Sequence, residues 1–266
     1  MDEPPLIQDN PPKAPPPPAT SLPARLLNVF AIPGEVFAGV KTSRVCISNW
    51  LVPALLLTVV GVAAALIVVS QPAFQRQMRD LTDRRAKALD QQVKAGKVKQ
   101  VDADRAMAIF RAFTTPVALR GVWGGVAAVV GVARVFWWAF ILWLLGRKFL
   151  AVRFCYPKAL EVAGLGLMIN VLGTLVTLLL MVNLPKLFTT RGLAFTVSDL
   201  EASRKSLLLL VVAVVFSLWL LGVLALGLAK LANVPFQRAA WFVFAAWVVQ
   251  ESLLYLCAGV VVQFTQ

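Results

Sequence analysis

The sequence predicts an all-α, polytopic integral membrane protein: a five-helix transmembrane bundle with an extramembrane helical hairpin between spans 1 and 2. Three observations predict it. Five apolar stretches, Asn49–Ser70, Val117–Gly146, Leu160–Leu184, Ser206–Leu231 and Ala240–Phe264, are separated by polar segments. Each is at least as long as the ~20 residues a helix needs to cross a ~30 Å hydrocarbon core. Hydrophobic residues make up 59% of the chain, and mean hydropathy is +0.77, whereas soluble domains are about 45–50% apolar. Charged residues are only 15%, against about 25% on average. Amides in lipid have no water to bond, so each stretch must satisfy its own backbone, and a helix does so.

Residues 1–21 form a proline-rich tail. Eight of the first 20 residues are proline, which rules out a hydrogen-bonded helix and favours disorder with polyproline II character. The PPKAPPPP run contains P-x-x-P, although a spacer is the simpler reading. The start MDEPPLIQDN lacks a basic n-region and an apolar h-region, so the first span reads as an uncleaved anchor. Over 22–48, Leu26, Leu27, Val29, Phe30, Val36, Phe37 and Val40 cluster around Pro33-Gly34. This pattern predicts two short amphipathic helices, broken at the proline and lying in the membrane interface.

Residues 49–266 form the five-span membrane domain, with the helical hairpin at 73–113. In the first hairpin helix Phe74, Met78, Leu81, Arg85, Leu89 and Val93 recur at spacings of three and four. Gly96 is the expected C-cap. Asp102 is the expected N-cap of the return helix, with Asp104 in its first turn. Phe110 and Phe113 should face the first helix. The second apolar stretch exceeds a span, so it must tilt or project. The pairs Gly121/Gly125 and Ala225/Ala229 have the small-xxx-small spacing that lets helices approach closely. The glycines of GLGLMIN in the third span also read as packing positions.

Formal net charge is +13, from 26 Lys+Arg and 13 Asp+Glu. With no compact basic domain, nucleic acid is not an expected partner. The basic loops are expected instead to meet anionic lipid headgroups of the bilayer. With the N-terminus in the cytoplasm, Lys13, Arg25, Lys41, Arg44, Arg147, Lys148, Arg153, Lys158, Lys230 and Arg238 lie inside. The acid-free Arg147–Lys158 connector favours this orientation, whereas the raw count, with the hairpin and Lys186, Arg191, Arg204 and Lys205 outside, slightly favours the opposite one. Histidine is absent, which removes His-based zinc sites, the Ser-His-Asp triad and histidine proton relays. Cys46, Cys155 and Cys257 are scattered and read as small packing residues. Asp199, Glu201 and Glu161 are the acids near membrane edges, no two of them form an acid/base or metal motif, and no Walker loop occurs. No catalytic, cofactor-binding or metal residues are therefore assigned, and no cofactor is expected.

Polar residues inside spans are expensive and mark either register or function. Arg134 lies deep in the second span, Asn170 in the third, and Gln250 and Glu251 in the fifth. Opposite charge and similar depth predict that Arg134 and Glu251 pair, or share a polar cluster with Asn170 and Gln250.

Two stretches carry a resemblance. LLNVFAIPGEVFAGV followed by NWLVPALLLTVV supplies Pro33, Phe37, Trp50 and Pro53. SLWLLGVLALGLAKLANVPFQRAAWFV supplies Trp219, Gly227 and a short loop with Arg238. These are similar to the Yip (Ypt-interacting protein) domain family. The resemblance implies five spans, a cytoplasmic N-terminus and a non-enzymatic scaffold or adaptor role in membrane organisation or trafficking. Eukaryotic members bind prenylated Rab GTPases. This chain lacks their D-L-Y-G-P signature and adds the basic hairpin, which argues against Rab binding. Its composition looks more like bacterial members, which implies an inner-membrane location. Protein partners would use the N-terminal tail or the hairpin. The alternative from the residues alone is a small-solute or ion permease or channel built on Arg134, Glu251 and Asn170.

Overall fold

The computed structural model describes residues 21–183 and 204–265. They form α1 (Leu22–Ala31), α2 (Pro33–Thr42), α3 (Ser48–Ser70), α4 (Pro72–Lys94), α5 (Gln100–Thr114), α6 (Pro116–Lys148), α7 (Tyr156–Gly166), α8 (Met168–Asn183), α9 (Arg204–Ala232) and α10 (Phe236–Thr265). Among the described residues five segments are long and apolar enough to cross a bilayer: Ser48–Ser70, Pro116–Lys148, Tyr156–Met181, Leu207–Ala232 and Phe236–Leu256. Among the described residues there is no strand. The proline-rich tail, Leu184 of the expected third span, and the acids Asp199 and Glu201 lie outside the described residues.

Proline sets half of the ten starts among the described residues. α2, α4 and α6 open on proline, and α1 and α7 carry it at their second position. The missing N–H costs nothing there, because first-turn amides have no intrahelical acceptor. The Thr115 hydroxyl adds a cap to α6, accepting from Ala118 N–H at 3.3 Å. Alternating crossings put α1, α2, the α6–α7 loop and the α9–α10 turn on one face, here the N-terminal face. The α4–α5 hairpin lies on the opposite face.

The third span is the axis of the bundle, but only for half its length. Every residue of α7 from Lys158 to Gly166 is buried, and α3, α6 and α9 all pack on it. The helix is interrupted at Leu167. Beyond that point α8 keeps α3 and α9 as neighbours but parts from α6. The half of the bundle around α7 is therefore solid, and the half around α8 encloses space. The uninterrupted third helix expected from the apolar run is thus two helices.

Close helix approach is set by glycines other than the expected pair. A Cβ on Gly164 would lie 2.5 Å from Trp50 Cα, and one on Gly131 would lie 2.9 Å from Thr58 Oγ1. One on Gly227 would collide with Val162 and press on Phe37. At Gly121 and Gly125 nothing lies within 4 Å. Successive positions on a helix are 100° apart, and it is Gly124 that faces Val62 and Leu66 of α3. The Gly121/Gly125 pair therefore points away from the contact. Ala225 and Ala229 are buried, and Gly166 abuts Leu224.

The hairpin follows its pattern with local corrections. Gly96 adopts φ +68°, Gly96 N–H bonds Val93 O at 2.9 Å and Lys97 N–H bonds Gln92 O at 3.0 Å, the double bond of a Schellman stop. The return helix starts earlier than expected, with Lys99 at the N-cap and Asp102 in the first turn. Asp104 instead accepts from Gln100 Nε2 at 3.0 Å. Leu81 is exposed, and Thr82 and Ala86 take the inner face beside Met78, Leu89 and Val93. The inner residues of α5 are Ala103, Met107 and Phe110, whereas Phe113 is exposed. Arg85 stacks its guanidinium 4.7 Å from the centre of the Phe110 ring. Replacing Leu81 and Arg85 by Thr82 and Ala86 shifts the middle of the stripe by one residue, about 100° around the helix, which tertiary contact decides and spacing alone does not.

α1 and α2 are not simply interfacial. Val29, Phe37 and Val40 are wholly buried, and α2 packs on α9 and α7 while α1 touches α7, α3 and α8. Their outer sides keep Leu27 and Ile32 exposed. Together they form a lid docked across the N-terminal face of the bundle.

Gly164→Ala should lower stability in detergent by about 1–3 kcal/mol, the cost of overpacking. Gly125→Ala should be neutral or gain up to about 1 kcal/mol of helix propensity. Thermal unfolding of the purified variants checks both, and equal effects would contradict the assigned contacts.

Candidate functional site

Among the described residues, two places combine polar chemistry with burial. The first is at the N-terminal face. Lys158 and Glu161 are three residues apart in the first turns of α7, so they share a side of the helix. Glu161 is wholly buried and Lys158 nearly so. Their Nζ–Oε1 distance is 3.3 Å. Glu161 Oε1 also accepts Cys46 N–H at 2.8 Å, and Oε2 accepts Asn49 Nδ2 at 2.9 Å. Lys158 Nζ reaches Val40 O at 2.7 Å. Arg25 Nη1 meets Asn49 Oδ1 at 3.4 Å.

Each bond has a local reason. Val40 is in the last turn of α2, where carbonyls lack intrahelical donors and a cation is favoured. Cys46 lies in the α2–α3 linker, whose amides have no helix to bond. Asn49 opens α3 and is buried. One carboxylate thereby gathers α1, α2, the linker and two spans. Unpairing a buried charge costs about 3–5 kcal/mol, so none of these contacts can be broken alone without a large cost.

The apolar part of the lid meets the same spans. The Phe30 and Trp219 rings pack edge-on at 6.1 Å, and Phe37 sits against Gly227. Trp50 packs edge-on to Phe136 at 5.5 Å. Pro53, buried inside α3, supplies no N–H for Asn49 O, and Gly164 approaches that oxygen. Pro33 begins α2. Of the residues that carry the family resemblance, Phe37, Trp219 and Gly227 therefore lie along the seam between lid and bundle, while Trp50 and Pro53 lie in α3 where it packs on α6 and α7.

The second place is a cavity of about 410 Å³ in the open half of the bundle, lined by α3, α6, α8 and α9. Its walls are mainly apolar. Arg134, Asn170 and Ser217 are polar members of the lining, and Phe74 and Trp123, packed edge-on at 6.1 Å, mark the hairpin end. Arg134 is one turn from Gly131, which abuts Thr58 at the middle of α3. Asn170 is one turn from Gly173, which abuts Phe216 near the middle of α9. Both polar groups thus sit at mid-span.

Among the four expected intramembrane residues, Arg134 and Asn170 share this cavity. Glu251 approaches Arg134 from α10 closely enough to act on it electrostatically, but no ion pair within 4.0 Å forms between them. Gln250 accepts Trp137 Nε1–H at 2.6 Å and so ties α10 to α6. Asn170 Nδ2 is buried without a hydrogen-bond partner. Sequence reasoning uses Lys158 only as a loop charge, Glu161 as an acid near a membrane edge and Asn49 as a span boundary. Opposite charges at i and i+3 inside an apolar run are the signal that points to the node.

A five-span bundle with a docked N-terminal lid and a mid-span cavity defines an integral membrane protein. The Yip1 domain family matches residues 27–257, and the chain belongs to that family, which is not known for catalysis. Comparison with curated proteins and with solved structures finds no match.

Outside the spans, Ser48 Oγ lies 3.0 Å from Cys46 Sγ. That hydrogen bond is the main reason the Cys46 thiol is held below its ordinary pKa, and desolvation opposes it. Ser48→Ala should therefore raise the pKa and slow alkylation of Cys46 near neutral pH, with little change well above the thiol's titration range. Mass-resolved labelling against pH checks the shift.

Glu161→Leu alone should destabilise the fold by about 3–5 kcal/mol. The Lys158→Met/Glu161→Leu double variant should recover much of that loss, because no buried charge is then left unpaired. Unfolding in detergent would reveal the coupling, and simple additivity would argue against the pair.

Proposed function

We propose that the protein is a non-enzymatic membrane scaffold or adaptor of the Yip type, linked to membrane organisation or trafficking. The observation that carries this reading is the Lys158–Glu161 node. It fixes α2 and the α2–α3 linker to the first and third spans, and Arg25 ties α1 to Asn49 of the same network, so the proline-rich segment is joined to a rigid platform. The basic hairpin offers a second surface on the opposite face. An adaptor needs two such presented surfaces held at a set relation, and it needs no reactive centre. Among the described residues, no three His, Cys, Asp or Glu side chains converge as a metal site.

Location follows from charge. Arg25, Lys41, Arg44, Arg147, Lys148, Arg153, Lys230 and Arg238 share the N-terminal face, which favours the cytoplasmic side and anionic headgroups. A bacterial inner membrane suits the composition. Rab binding is disfavoured by the missing signature and the added hairpin.

A permease is the second reading, and the cavity at Arg134 favours it. The same space is closed towards the N-terminal face by α7 and the lid, which favours a binding recess over a path. The test joins two measurements on the full chain. Photo-crosslinkers at Lys13 in the tail and Leu81 on the hairpin should each recover discrete protein partners from native membranes, and reconstituted vesicles should show no solute or ion flux. Flux abolished by Arg134→Gln would overturn the scaffold reading in favour of transport.

A further inference from the structure

The cavity has a polarity that selects its occupant. Arg134 has five N–H donors and no acceptor, and it lines the cavity with no ion pair within 4.0 Å among the described residues. Asn170 keeps a buried Nδ2 unsatisfied. The terminal torsion of an amide is broad, so a turn about it brings that donor to the cavity surface at little cost. Thr174 and Thr177 spend their hydroxyl protons on helix carbonyls one turn back, Asn170 O and Gly173 O, at 2.8 Å, and so keep only acceptor lone pairs. The donors at mid-span are therefore Arg134 and Asn170, and an uncompensated cation is costly there. The walls above these donors, with Ala64, Ala65, Val68, Leu178 and Ala213 among them, are apolar as far as the hairpin end.

We propose that this cavity binds a single-chain acidic amphiphile. Its carboxylate or phosphate oxygens would sit on Arg134 and Asn170, and its hydrocarbon chain would lie along the apolar walls of α3, α8 and α9. Charge-assisted bonds to a planar guanidinium are the strongest polar contacts a site can offer an oxyanion. A volume of about 410 Å³ is in the usual range for a small-molecule site, ~300–1,000 Å³. Glu251 approaches Arg134 from α10, outside the cavity lining. It lowers the local positive potential without filling the place of the ligand, so it tunes affinity. This site is independent of the scaffold reading, since it requires neither a protein partner nor transport.

The test is native mass spectrometry of the full chain released from phosphatidylcholine nanodiscs. Three probes are added in turn: oleate, oleyl alcohol as the neutral analogue, and inorganic phosphate. One saturable oleate adduct is expected, with oleyl alcohol at least roughly tenfold weaker, the scale of one lost charge-assisted bond. Arg134→Gln should weaken oleate by a similar roughly tenfold factor or more, Asn170→Ala should weaken it less, and Glu251→Gln should strengthen it. Ala213→Trp should block the adduct by filling the space while leaving Arg134 in place. Unchanged thermal unfolding of each variant separates lost binding from lost fold. Equal binding of the alcohol, or oleate binding indifferent to both Arg134→Gln and Ala213→Trp, would overturn the site. Competition by inorganic phosphate at equal concentration would assign a free anion and overturn the amphiphile.

Discussion

A carboxylate that water cannot reach governs this structure. Glu161 is wholly enclosed, and an ion in such surroundings persists only if every oxygen is met. Its donors come from Lys158, the Cys46 amide and Asn49, hence from three different stretches of chain. Lys158 in turn needs an acceptor beyond Glu161 and takes the end of α2. Satisfying one charge therefore specifies where the lid sits, where the first span begins and how the third span is turned about its axis. Apolar contacts such as Phe37 on Gly227 supply area, but an apolar surface alone admits neighbouring registers that this polar pattern does not.

The same third span explains why the molecule is solid at one end and open at the other. Gly164 and Gly166 let α7 come against Trp50 and Leu224, so the axis is filled. After the interruption at Leu167, α8 follows α3 and α9 and leaves space between itself and α6. The polar residues of the second and third spans, Arg134 and Asn170, fall at the bottom of that space. In a bilayer the apolar effect does not drive helices together, so an internal cavity costs packing that some other interaction has to offset. A ligand seated there would recover those contacts.

The crossings were legible because lipid imposes a length and a polarity that few soluble helices meet, and four of the five apolar runs each map to one helix within a few residues. The hairpin stop was legible because only a left-handed residue closes a Schellman turn and Gly96 stands at the place. Three features were not. The interruption at Leu167 falls in an unbroken apolar run with no proline to mark it. The docking of α1 and α2 is hidden because Val29, Phe37 and Val40 would be apolar against lipid or against protein. The partner of Glu161 is only half visible: Lys158 stands three residues away, but Asn49 and Cys46 are more than a hundred positions distant and reach it through the fold.

The central claim is that the N-terminal lid is held rigidly on the bundle by the Glu161 node. Pulsed electron spin resonance on spin labels at Leu27, exposed on α1, and Trp241, exposed on α10, measures it most directly in nanodiscs. A single narrow distance distribution is the predicted result, broadening when Glu161 is replaced by leucine. A broad distribution in the native sequence, or one that Glu161→Leu leaves unchanged, would contradict the account.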